Sequence, residues 1–210
     1  MWKFRHWTPR YAFSRVSLSV YQKRHSDHPW LTKQAIWLIG RLLRPTDVGI
    51  EWGSGRSTLW FARRVARLYS VEHDTHWYAT VMDRVKQARI GNVDYLLFEV
   101  AEDQQPTDMG NPYTDVLFDH PANSLDFALV DGLFRSTCAA RVLERIRPGG
   151  MIILDNANWF LPCESYAPNS RTREAGPASE EWARFLAAVN SWRCIWTSNG
   201  VFDTAIWVKP

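Results

Sequence analysis

The chain is poor in the features that mark several protein classes. Of its 210 residues three are cysteines, Cys138, Cys163 and Cys194. They are odd in number and far apart, with no disulfide, zinc or dithiol spacing, so buried free thiols are expected. No run of 18 apolar residues occurs, and a transmembrane helix is not expected. The start, MWKFRHWTPRYAFSR, lacks both a continuous apolar stretch and a small-residue cleavage site. A secretory leader is therefore not expected, and a reducing, cytoplasmic setting is. Repeats and low-complexity segments are absent too. The formal net charge is only +3, which we take as too small for a nucleic-acid partner.

What is present fits an ordinary α/β protein. Apolar residues make up 46% and charged residues 22%, enough for a sizeable core in one domain. The charge is uneven: Lys3, Arg5, Arg10, Arg15, Lys23 and Arg24 face one acid, Asp27, within the first 30 residues. Residues 1–28 therefore read as a basic aromatic arm suited to an acidic surface, a membrane or an anionic substrate. Its aromatics, Trp2, Phe4, Trp7, Tyr11 and Phe13, keep no clean helical period.

From residue 29 onward strands and helices alternate. Helical spacing covers 29–43, 57–66, 76–89, 136–146 and 179–192. Short apolar strands are expected at 47–52, 67–72, 93–100, 126–132 and 151–155. Pro148-Gly149-Gly150 is expected to end a helix, and Asn199-Gly200 to turn a terminal hairpin. Residues 156–178 read as an irregular loop, and loops of that length are commonly functional. The alternation implies a parallel sheet covered on both faces, with ligands at the carboxyl ends of the strands. Acids crowd those ends: Glu51, Glu72, Glu102, Asp131 and Asp155.

The stretch GIEWGSGRSTLWFARRV, residues 49–65, is the most specific. Gly53 and Gly55 let a ligand approach the backbone closely. The third glycine of a dinucleotide fingerprint is replaced by Thr58, which argues against a pyrophosphate and a reductase. Ser54 belongs to the same turn, and Ser57 or Thr58 can cap the helix that follows. Glu72 stands 19 residues past Gly53, counting 72 − 53, where a carboxylate grips ribose hydroxyls. A ligand with a ribose, a positive centre and a carboxylate meets these demands, as S-adenosylmethionine does.

The series EWGSGRST, SVEHD, FALVDG and RPGGMIILDN resembles the motif series of class I S-adenosylmethionine-dependent methyltransferases. That resemblance implies a three-layer Rossmann-like fold over 29–210, with a seven-stranded, mostly parallel sheet whose last strand is antiparallel. It implies Glu51, Gly53 and Gly55 on the methionine side and Glu72 on the ribose. His73 and Glu102 then lie near the adenine, and Asp131 near the methyl group. Asp131, Asp155 and Asn156 also resemble the metal ligands of catechol-type and caffeoyl-CoA-type O-methyltransferases, implying Mg²⁺ or another divalent cation. Those enzymes carry a lysine base shortly after the first Asp, whereas here GLFRS follows and Arg135 is the nearest cation. Arg135 cannot act as a base, but it can orient an anion or stabilise developing charge. Asp131 and Arg135 are thus the catalytic candidates, with His73 and His120 as further bases. A small-molecule or glycan hydroxyl is the expected acceptor, met by Trp159, Tyr166, Arg171 and Arg173. The alternative is a non-catalytic module that binds S-adenosylmethionine or a nucleotide and uses the basic arm for a partner.

Overall fold

The computed structural model describes residues 8–100, 111–117 and 120–210. Seven strands form one sheet: β1 (Val48–Trp52), β2 (Arg67–Glu72), β3 (Val93–Leu97), β4 (Leu125–Val130), β5 (Ile146–Asp155), β6 (Arg193–Ser198) and β7 (Asp203–Val208). Their order across the sheet is β3-β2-β1-β4-β5-β7-β6. β1 to β5 run parallel, and β7 enters between β5 and β6, antiparallel to both. The expected seven-stranded sheet with its last strand reversed is present.

The helices are α1 (Pro9–Arg24), α2 (Lys33–Leu42), α3 (Arg56–Ala62), α4 (Thr75–Gln87), α5 (Pro112–Asp115), α6 (Arg135–Val142), α7 (Ala157–Phe160) and α8 (Glu180–Ala188). Strand side chains alternate between two cores, as the pleat requires. Along β5, Ile152 and Leu154 join the cluster under α6 and α8, with Trp182 and Phe185. Met151 and Ile153 point to the other face, among Ile36, Ile39, Trp60 and Phe61 of α2 and α3. With both faces covered, the sheet itself is open to a ligand at its strand ends.

Three local expectations are corrected. The arm is a helix from Pro9: the Thr8 hydroxyl accepts from Tyr11 N at 3.2 Å, and Pro9 stands in the first turn, where its missing N–H costs nothing. Its aromatics keep no period because no residue of α1 is fully buried. Pro148-Gly149-Gly150 lies inside β5 instead of ending α6, where the β4 pairing shifts register. The stretch 156–178 is tied down by Asn158, whose amide donates to Pro168 O (3.0 Å) and Ser170 Oγ (3.1 Å) and whose carbonyl accepts from Asp203 N (3.1 Å).

Candidate functional site

The carboxyl ends of β1, β2 and β4 meet at the glycine turn. Gly53 has φ +90°, and a Cβ there would lie 2.9 Å from the Asp131 carbonyl carbon and from Gly132 N. Any side chain would force the two strand ends apart, so this glycine is a requirement of close approach. Beyond it, Ser54 joins β1 to β2. Its N–H donates to Glu72 Oε2 at 3.1 Å, its hydroxyl to the same oxygen at 2.6 Å, and Tyr95 Oη lies 2.6 Å from that hydroxyl. Glu72 Oε1 accepts from the His73 and Asp74 N–H groups at 2.8 and 3.0 Å. The buried carboxylate is thus aimed by four donors. Tyr95 was not foreseen, because nothing in the sequence says that a β3 residue reaches the β1 turn.

Glu51 sits under the turn with no exposed surface. Its Oε1 accepts from Thr58 Oγ1 and, at 2.7 Å, from Ser70 Oγ; Thr58 Oγ1 also accepts from Gly55 N at 3.0 Å. Glu51 and Thr58 therefore brace the turn from within the protein. Burial pushes the Glu51 carboxyl up to about 7, against the pull of the hydroxyl donors. The unfolded chain releases this proton near the ordinary value of 4.5. Stability is therefore full below pH 4.5 and falls as pH rises toward 7, by about 3 kcal/mol in all. Glu51→Gln should remove that slope. Melting curves across this range are expected to diverge as pH rises, and parallel curves would show that Glu51 ionises normally.

A cleft of about 370 Å³ opens at the turn, lined by Gly53, Ser54, Gly55, Arg56, Ser57 and Asp131, with Trp30, Trp77 and Arg84 at its walls. Its size suits a small organic ligand, for which roughly 300–1,000 Å³ is usual. Trp77, from the first turn of α4, donates its indole N–H to Ser54 O at 2.8 Å. Trp77, Trp30 and Arg84 are additions that the motif series does not contain.

On the β4 side stands Arg135, aimed by a left-handed Phe134 (φ +47°). Such a conformation is strained for a bulky residue. Its Nε donates to Gly132 O (3.0 Å) and its Nη1 to Asp155 O (2.7 Å) and Asn156 Oδ1 (3.2 Å). Nη2 donates to Asp131 O at 2.8 Å and pairs with Asp131 Oδ1 at 2.9 Å. A guanidinium has five N–H groups, and each has its acceptor here. Asp155 Oδ1 is taken by Thr204 Oγ1 at 3.0 Å.

The three expected metal ligands do converge on one cation, and that cation is Arg135. A divalent ion does not fit this set: one side-chain oxygen of each of the three is already engaged, and a second positive charge would meet the guanidinium. Among the described residues no group of three or more His, Cys, Asp or Glu is placed to hold a metal. Burial pushes the Asp131 carboxyl up to about 6, with Arg135 pulling it down. Burial and then the Asp131 charge push Asp155 well above the ordinary carboxylate range.

The remaining candidates are more scattered. His73 Nδ1 lies 2.9 Å from Glu72 Oε1, just past the end of β2. His120 packs edge-on against Tyr69 at 4.7 Å, away from the cleft lining. Glu102 lies outside the described residues. Arg171 is spent within its own loop, on Gly176 O and Ala175 O at 2.6 and 2.9 Å. Arg173 pairs with Glu164 at the surface, and Tyr166 lies under Arg10 at 4.2 Å. Trp159 is 43% exposed, beside Phe160, whose ring receives Arg135 at 5.7 Å.

No protein-family model matches the chain, and no curated protein does. Solved structures do. A methyltransferase-like protein from Silicibacter pomeroyi superposes with TM-score 0.59 at 15% identity, over 87% of this chain and 89% of its own. A protein from Streptococcus mutans described as a methyltransferase, solved with S-adenosylhomocysteine, gives TM-score 0.57 at 11% identity, over 86% and 100%. The chain has the class I methyltransferase fold. An rRNA methylase from Streptococcus thermophilus shares it, with TM-score 0.51 at 10% identity, over 81% and 91%. This corrects the expectation of no nucleic-acid partner: a fold that also serves an rRNA methylase gives no ground for that exclusion, and a net charge averages over the surface that would make the contact.

Proposed function

We propose that this protein is an S-adenosylmethionine-dependent methyltransferase. The observation that carries the reading is the Gly53-Ser54-Gly55 turn, clamped between the Glu72 carboxylate and the end of β4 at Asp131. Glu72 takes the ribose hydroxyls, with the Ser54 hydroxyl rotating away to make room. Gly53, Gly55 and Ser57 admit the methionine part, and His73 stands toward the adenine. When bound, the donor supplies an electrophilic methyl group on a sulfonium. Asp131 lines the cleft and, held at about 6, is ionised at neutral pH. We assign it to receive the acceptor's proton, since a base is most effective near the working pH. Arg135 fixes Asp131 in place without entering the proton transfer. Much of the remaining rate enhancement comes from orientation, for which the tied-down stretch 156–178 beside Arg135 is suited. No divalent ion is part of this reading.

Calorimetric titration should show binding of S-adenosylmethionine and its demethylated product but not of NAD. Absence of binding by the first two overturns the proposal. With labelled donor and a fractionated cell extract, transfer to at least one fraction is expected. RNA is the fraction to assay first, given the fold shared with an rRNA methylase. Binding without transfer to any fraction favours a non-catalytic module.

A further inference from the structure

A second cavity, of about 360 Å³, opens beside the donor cleft, and the two share Gly55, Arg56 and Arg84. It runs along the groove between α3 and α4. Its charge is lopsided: Arg56, Arg63 and Arg84 line it against one acid, Asp27. Among the described residues none of these arginines forms an ion pair with a carboxylate, whereas Arg67, Arg135, Arg141, Arg145, Arg147, Arg173 and Arg184 all do. Arg56 has one hydrogen bond, from Nη1 to Gln22 O at 3.3 Å. Three unneutralised guanidinium groups in one recess create a positive potential that an anion relieves.

The dimensions say which kind of anion. Arg56 and Arg63 are seven residues apart, two turns of helix, or about 10 Å along its axis at 1.5 Å per residue. That separation exceeds one phosphate group and suits successive phosphates of a strand. The aromatic side chains on the walls of the adjoining donor cleft agree. Trp30 is 57% and Trp77 37% exposed, unusual for indoles. Arg56 lies 5.6 Å from the Trp30 ring and Arg84 5.6 Å from the Trp77 ring. Guanidinium groups for phosphates, interleaved with indole faces for bases, are the equipment of a single-strand binding groove. Its continuity with the donor cleft places one nucleotide of such a strand near Asp131.

We infer that the Arg56–Arg63–Arg84 groove binds the phosphate backbone of a single-stranded nucleic acid. That the strand is the methyl acceptor rests on the donor-site reading; the binding itself does not. The probe is a fluorescein-labelled twelve-residue oligouridylate, titrated with the full chain by fluorescence anisotropy at low and moderate salt. Parallel arms use inorganic phosphate as competitor and vesicles of phosphatidylserine and phosphatidylcholine. Arg63 lies outside the donor-cleft lining, so Arg63→Glu separates the two sites. The variant should bind the oligomer about tenfold more weakly and lose about 0.7 from the salt slope, with Arg63→Lys close to wild type. Its melting temperature and S-adenosylmethionine affinity should match wild type. The inference is overturned if the oligomer does not bind, if Arg63→Glu binds it unchanged, or if only inorganic phosphate or only vesicles bind. An oligomer that binds through Arg63 to a protein that ignores S-adenosylmethionine leaves this inference standing and removes the donor reading.

Discussion

Glu72→Gln is expected to weaken S-adenosylmethionine binding by roughly 30- to 150-fold. The estimate follows from about 2–3 kcal/mol for a hydrogen-bonding carboxylate lost to a ligand in a buried site. Glu72 is 2% exposed and already aimed by four protein donors. Little is lost in ordering it when the ribose arrives, which is what preorganisation contributes to affinity. Gln keeps the shape but puts an amide N–H₂ in place of one oxygen, so either the ribose or the backbone N–H groups lose their acceptor. Ser54→Ala is the matching control. It removes only the hydroxyl that occupies Glu72 in the absence of ligand, so affinity should stay within a few-fold of wild type. Calorimetry on both variants, with circular dichroism to confirm folding, checks the assignment. If Glu72→Gln binds as wild type does, the ribose is held elsewhere.

Arg135→Ala is expected to lose about 2–3 kcal/mol of stability, because it removes one partner of a half-buried ion pair and leaves several acceptors unsatisfied. For a chain of this size that corresponds to several degrees in melting temperature. The cause is specific. Removing the guanidinium strips Asp131 and Asn156 of a donor and leaves three strand-end carbonyls unsatisfied at once. Arg135→Lys should recover little, because an ammonium cannot reach five acceptors in one plane. EDTA should leave the wild-type melting temperature and turnover unchanged, since the cation at this position is a side chain. A fall in either with EDTA, restored by Mg²⁺, overturns the assignment of Arg135.

The glycine turn, Glu72 and the acids at the strand ends were legible from the chain because each rests on local rules. Only glycine tolerates the Gly53 conformation, and strand periodicity puts residues 51, 72 and 131 at carboxyl ends. The same reading went astray where a role depends on neighbours distant in sequence. Asp131, Asp155 and Asn156 look like metal ligands when taken in order along the chain. Their occupant is decided by the φ of Phe134, which swings Arg135 back onto the ends of β4 and β5. Helix α1 is another case: it has no buried residue to give it a pattern, so Thr8, Pro9 and one-sided contacts decide it.

The sequence by itself determined the alternating strands and helices and the side on which a ligand must enter, because alternation and glycine geometry are short-range physics. The tertiary structure decided which charges meet. Tyr95 is brought from β3 to Ser54, Thr204 from β7 to Asp155, and Arg84 from α4 to a groove with Arg56 and Arg63. Charge and hydrogen bonding act through space over a few ångströms, and no spacing along the chain records distances that only packing creates.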